Sequence, residues 1–157
     1  MTGSPRTRPC ARSTTGLALR AFIAAVLGVD TLHPYAGPLG SLNINVLAPG
    51  RQLGWHFDNA DFVTTLMLRP AEAGGLYEYV PGLRRPEDET TDALARACAR
   101  SIWRRAPSVV FRGRTALHRV TPVEGAHPRL LAVLSYHPEP GRMLTGHTRK
   151  IFYGRVG

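Results

Sequence analysis

The feature that most constrains this chain is a series of short apolar runs, each broken within a few residues by glycine, proline or asparagine. Leu42–Val46 alternates apolar and polar side chains, as a strand with one buried face requires, and Pro49-Gly50 then turns the chain. The same grammar recurs over Leu53–Phe57, Phe62–Leu68, Leu76–Val80, Val109–Arg112, Ala116–Val120 and Leu130–Tyr136, with turns at Asn59 and Gly74-Gly75. Strands so short and so closely spaced pair with one another in a sandwich or barrel, not through βαβ crossovers. Two segments read differently. Leu19, Phe22, Ile23, Val26 and Leu27 follow the i, i+3, i+4, i+7, i+8 template and predict an amphipathic helix stopping near Gly28. Over Glu87–Arg105, Leu94, Ala97, Cys98 and Ile102 recur at helical spacing. Glu87, Asp88, Glu89 and Asp92 open that segment and Arg100, Arg104 and Arg105 close it, the order that favours the helix dipole. The expected fold class is mostly β, with an N-terminal helix and one helical insertion.

A length of 157 residues, 43% of them hydrophobic and 20% charged, supports one domain and excludes a disordered, collagen-like or disulfide-dense chain. Residues 1–16 read as a disordered basic tail carrying Arg6, Arg8 and Arg12 without an acid, which leaves 17–157 as the domain. The net charge of +9 invites a nucleic-acid reading, but nineteen of the twenty cations are Arg and only Lys150 is Lys. That skew points to compositional bias at least as much as to a phosphate-binding surface. No helix-turn-helix, zinc-finger or RNP motif accompanies it, so no nucleic-acid partner is expected. Cys10 and Cys98 match no metal-knuckle spacing. The apolar stretch from Gly16 to Val29 is interrupted by Arg20 and is too short to span a bilayer, so a reduced, cytoplasmic setting without membrane attachment is the expectation.

The chemistry-bearing residues cluster on the predicted strands. His56 and Asp58 lie two apart at the end of a strand, a spacing that puts imidazole and carboxylate on one face. Among the other histidines, His118 is the one embedded in a predicted strand. Two His and one carboxylate on one face of a metal leave three positions open, the arrangement used for oxygen activation at non-haem Fe(II). Taken singly, each residue reads more simply as a hydrogen-bonded turn or strand residue. Arg129 shifts that balance. It opens the apolar run Leu130–Leu134, and a strand buried on both faces with an arginine at its start needs an anion there. A dicarboxylate cosubstrate would serve; so would a structural salt bridge to Glu78 or Glu124.

With these residues assembled, the sequence resembles the Fe(II)/2-oxoglutarate-dependent oxygenases, whose fold is a double-stranded β-helix of the jelly-roll or cupin-like kind. Leu53–Asn59, Ala71–Gly75, Glu78–Pro81, Phe111–Arg114, Leu117–Val123 and Phe152–Arg155 are similar to the branch of bacterial enzymes that hydroxylate or halogenate free amino acids. The resemblance implies that His56, Asp58 and His118 ligate Fe(II), that Arg129 binds the distal carboxylate of 2-oxoglutarate, and that O2 is the second cosubstrate. The substrate it implies is a small, amino-acid-like molecule. Halogenases of that branch have Gly or Ala at the carboxylate position, so Asp58 favours hydroxylation. Members also carry a longer N-terminal region, so the domain is expected to be short there. A barrel that keeps the metal but lacks turnover, a degenerate cupin-like binding module, is the alternative. Further candidates are Asn59 or Trp55 for orienting the ligand carboxylate or the substrate, Ser135 or Thr121 for assisting Arg129, and Glu78 for a substrate ammonium.

Overall fold

The apolar run at Leu130–Tyr136 becomes the strand around which the rest is arranged. The computed structural model describes residues 16–37, 40–80, 83, 102–103 and 107–146. Within them a helix, α1 (Leu17–Leu27), precedes eleven strands: β1 (His33–Pro34), β2 (Leu42–Leu47), β3 (Leu53–His56), β4 (Phe62–Arg69), β5 (Ala73–Gly74), β6 (Tyr77–Val80), β7 (Ile102–Trp103), β8 (Ser108–Phe111), β9 (Leu117–Val120), β10 (Val123–Glu124) and β11 (Arg129–His137). β11 is paired along both edges. On one it meets β4, from Leu130↔Arg69 to Tyr136↔Phe62; on the other it meets β2 over Arg129–Leu134 and then β1 at Tyr136–His137. β8 extends the sheet beyond β4. A second antiparallel sheet has the order β3-β9-β6-β7, and β5 pairs with β10. From β2 to β4 and again from β7 to β11 the main strands alternate between the two sheets, which is the winding of a double-stranded β-helix.

All seven expected strands are present, with no end displaced by more than one residue. Four two-residue strands, β1, β5, β7 and β10, carry too little sequence to show a period. The helical insertion expected over Glu87–Arg105 needs one correction. Ile102 and Trp103 lie in a strand, held by the pairings Tyr77↔Trp103 and Glu78↔Ile102, because cross-strand hydrogen bonds to β6 override a helical spacing that rested on one residue there. The rest of that insertion, and the tail apart from Gly16, lie outside the described residues.

Helix α1 ends where expected, at Gly28 in the left-handed region at φ +67°. Its buried face differs. Ile23 and Ala24 are buried, with Leu19 and Leu27 packed against the same cluster of Leu32, Phe62, Ala132, Leu134 and Tyr136, whereas Phe22 and Val26 are 62% and 57% exposed. The helix sequence is apolar nearly all round, so periodicity alone does not select the face that meets the sheet. At about 16 Å long, α1 covers only part of a sheet whose central strand runs about 30 Å. Beyond it Ile44, Val46, Leu66 and Leu68 stand exposed on the outer face. The alternation in β2 is accordingly turned round: Asn43 and Asn45 are half-buried, while Ile44 and Val46 are exposed. Among the described residues no helix is long and apolar enough to cross a membrane. Ile23→Ala should lower the unfolding free energy by about 2–5 kcal/mol in a urea titration, and Phe22→Ala by less than about 1 kcal/mol.

Candidate metal centre

Register, more than motif, assembles the site. In the β3/β9 ladder His56 stands directly opposite His118, so the two imidazoles project from adjacent strands onto one face. Their ring centroids lie 4.1 Å apart, tilted by 55°. Each Nδ1–H donates to the carbonyl two residues upstream, His56 to Gly54 at 2.8 Å and His118 to Ala116 at 3.0 Å. A carbonyl can only accept, so both rings hold the tautomer that leaves the Nε2 lone pair free. Both Nε2 atoms approach the carboxylate of Asp58, His56 to Oδ1 at 3.7 Å and His118 to Oδ2 at 3.6 Å. One ligand-type atom from each of the three residues lies within 4.8 Å of the others.

Asp58 reaches this position by a route the two-residue spacing does not describe. Strand β3 stops at His56, so side-chain alternation along a strand does not set the aspartate. Its backbone N–H instead donates to the carbonyl of Gly113 at 3.0 Å, in the turn between β8 and β9. The approach is tight: a Cβ on Gly113 would lie 2.5 Å from the carbonyl oxygen of Ala60 and 2.8 Å from the Cβ of Asp58. Only glycine fits there without displacing the loop that carries the carboxylate.

Arg129, at the start of β11, is 2% exposed, and its Nε has no hydrogen-bond partner among the described residues. Burial pulls its pKa down from the ordinary guanidinium value. Neither of the acids considered for a structural salt bridge provides an ion pair within the described residues: Glu78 bonds Arg119, its cross-strand partner on β9, and Glu124 shows none. Room for the arginine comes from Gly75, where a Cβ would sit 3.2 Å from Arg129 Cδ and 2.9 Å from Ala71 Cβ, at φ +57°. Tyr77 is the residue sequence reasoning missed. Its buried hydroxyl also lacks a partner among the described residues, and burial, with smaller contributions from Asp58 and Tyr79, pushes its pKa upward, which keeps it a protonated donor. Tyr77 and Tyr79 share one face of β6, so the sequence does not separate them; of the two, Tyr77 is the one that lines the cavity with Arg129.

His56, Asp58, His118, Tyr77 and Arg129 all line one cavity of about 380 Å³, together with Asn43, Asn45, Asn59, Thr65 and Ser135. The remaining candidates are placed elsewhere. The Thr121 hydroxyl accepts the Leu76 N–H at 2.9 Å. Trp55 lies under the Arg119 guanidinium, 4.9 Å from its ring centroid, and Glu78 holds that same arginine, so neither lines the cavity.

The HalD family, described as halogenase D, matches residues 15–147. The chain belongs to that family. Its fold is shared with a 2OG-Fe(II) oxygenase family oxidoreductase from Burkholderia pseudomallei (17% identity, TM-score 0.62, covering 85% of this chain and 56% of the other). It is shared also with AviO1 from Streptomyces viridochromogenes Tue57 (18% identity, TM-score 0.61, 82% of this chain and 60% of the other). A Pseudomonas putida prolyl-4-hydroxylase aligns at 16% identity with a TM-score of 0.50, over 85% of this chain and 69% of the other. The chain thus spans less than two thirds of the length of the first two structures. No curated protein sequence matches it.

The environment of His118 has a measurable consequence. Burial lowers its pKa below the ordinary 6.5, against an opposing pull from Asp58. With the folded-state value depressed, protonation favours the unfolded chain, and this group costs stability as pH falls below 6.5. In metal-free protein the His118 ring resonances should therefore titrate with a midpoint below 6.5 in an NMR pH series.

Proposed function

We propose that this HalD-family protein is an Fe(II)- and 2-oxoglutarate-dependent oxygenase that hydroxylates a C–H bond of a small, amino-acid-like substrate. The observation that carries the reading is the carboxylate of Asp58 set between the two free Nε2 atoms. The donor set fits the metal: two neutral imidazoles and one carboxylate suit Fe(II) and leave positions for a chelating cosubstrate and O2. The unpartnered Arg129 Nε and Tyr77 hydroxyl fit a carboxylate-bearing cosubstrate in the same cavity. A volume of about 380 Å³ to be shared between cosubstrate and substrate supports a small molecule. The resemblance to the free-amino-acid branch supports its class.

When bound, iron with 2-oxoglutarate and O2 supplies the oxidative decarboxylation that gives succinate and CO2 and oxidises the substrate C–H bond. The protein supplies the geometry for it. His56 and His118 present lone pairs fixed by their Nδ1–H bonds, so no tautomer change accompanies metal binding. Asp58 adds one negative charge and closes the third position. Arg129 pairs with the distal carboxylate, and Tyr77 donates a hydrogen bond that its raised pKa keeps available. Phe111, whose ring meets His118 edge-on at 5.0 Å, helps to keep water from the ring's apolar side.

Hydroxylation is favoured over halogenation because Asp58 occupies the position a halide would need. Under anaerobic conditions Fe(II) plus 2-oxoglutarate should give a weak visible charge-transfer band that is lost in His56→Ala and His118→Ala; full bands in both variants would refute the triad. Aerobically, an amino-acid panel should release succinate, and Asp58→Gly should abolish hydroxylation and open the site to chloride or bromide. Absence of succinate across the panel would favour a binding module. For the cosubstrate, Tyr77→Phe should weaken 2-oxoglutarate binding about tenfold and Arg129→Gln more than that, measured by titrating the same band.

A further inference from the structure

Asp61 and His137 form a second histidine–carboxylate pair that neither the triad nor the cosubstrate site uses. The β11/β4 ladder ends at Tyr136↔Phe62, so the next residue on each strand, His137 and Asp61, falls opposite the other. His137 is 7% exposed, and its Nε2 lies 2.8 Å from Asp61 Oδ2. Its Nδ1 accepts the Glu139 backbone N–H at 2.9 Å, while the Glu139 carbonyl, at 3.3 Å, is the poorer partner. A backbone amide only donates, so Nε2 carries the proton and donates it to Asp61. The imidazole is thus bonded at both nitrogens and locked in orientation.

What this pair holds is the four-residue loop that carries Asp58. The backbone of Asp58 is tied through its N–H to Gly113. Asp61, at the other end of the loop, receives His137 on one oxygen, stands 3.6 Å from Arg114 Nε on the other, and accepts the Gly113 N–H on its carbonyl at 3.0 Å. Midway, Tyr35 donates its hydroxyl to the Asn59 carbonyl at 3.3 Å and packs edge-on against the His137 ring, with centroids 5.9 Å apart. The central strand and the Gly113 turn therefore grip the loop from two sides.

We infer that His137 is a positioning residue: through Asp61 it fixes the Asp58–Asp61 loop and so sets the carboxylate for metal binding. The inference rests on the metal-centre reading. Its test uses Co(II) as the probe, with the full chain, reading affinity and ligand-field spectrum by visible titration alongside unfolding of the metal-free protein. His137→Asn keeps an acceptor for the Glu139 amide but is too short to reach Asp61. His137→Gln places an amide nitrogen where Nε2 stood. Asn should weaken Co(II) binding about tenfold and move the spectrum toward that of Asp58→Ala, whereas Gln should stay within about threefold of the parent. Metal-free unfolding midpoints of the two variants should match each other. Parent-like binding by His137→Asn overturns the inference, as does equal weakening in both variants. A parent protein that binds no Co(II) overturns the metal centre itself and the positioning role with it.

Discussion

Strand β11 is bonded along both edges and buried on both faces, and the other elements take their positions from it. Its outward residues Ala132, Leu134 and Tyr136 make the core with α1, while Leu131, Val133 and Ser135 border the cavity on the other side. A strand committed in this way cannot slip, because a shift of one residue would exchange apolar core for cavity lining along its whole length. Arg129 at one end and His137 at the other are consequently held at fixed separation. The start of the strand supplies to the cavity a cation with no ion-pair partner among the described residues, and its end supplies the imidazole that faces Asp61.

The sequence shows the strands well because each main strand carries its own alternation or, in β11, an apolar run bounded by turn residues, which is local information. It also shows His56, Asp58, His118 and Arg129, whose order and spacing are visible without coordinates. It fails where geometry comes from pairing. Asp58 looks like a strand neighbour of His56, yet the turn at Gly113 places it, more than fifty residues further along the chain. Tyr77 looks like any strand tyrosine, and like Tyr79 on the same face, until its place along β6 sets it beside the cavity that Arg129 lines. The face of α1 is likewise decided by the sheet, since a helix apolar all round offers no choice by itself.

The same contrast explains the fate of the charged candidates. Glu78 and Arg119 satisfy each other across neighbouring strands, on the side away from the cavity, and Trp55 stacks under the arginine there. Among the described residues Arg129 has no comparable neighbour. Burying a guanidinium is costly unless an anion accompanies it, so the fold retains an electrostatic deficit that a dicarboxylate is suited to fill. Glycines make both arrangements possible: Gly75 admits the arginine stem and Gly113 admits the aspartate loop, each at a point where one methyl group would collide.

The bond from the residue 58 amide to Gly113 involves only backbone atoms. The scaffold therefore grips that position without reference to its side chain. A single nucleotide change can turn an aspartate codon into a glycine codon, removing the carboxylate while leaving the backbone tether and its partner turn in place. In a fold wired this way, the side chain at residue 58 can change independently of foldability, so the donor set offered to the proposed metal can vary without the barrel being rebuilt.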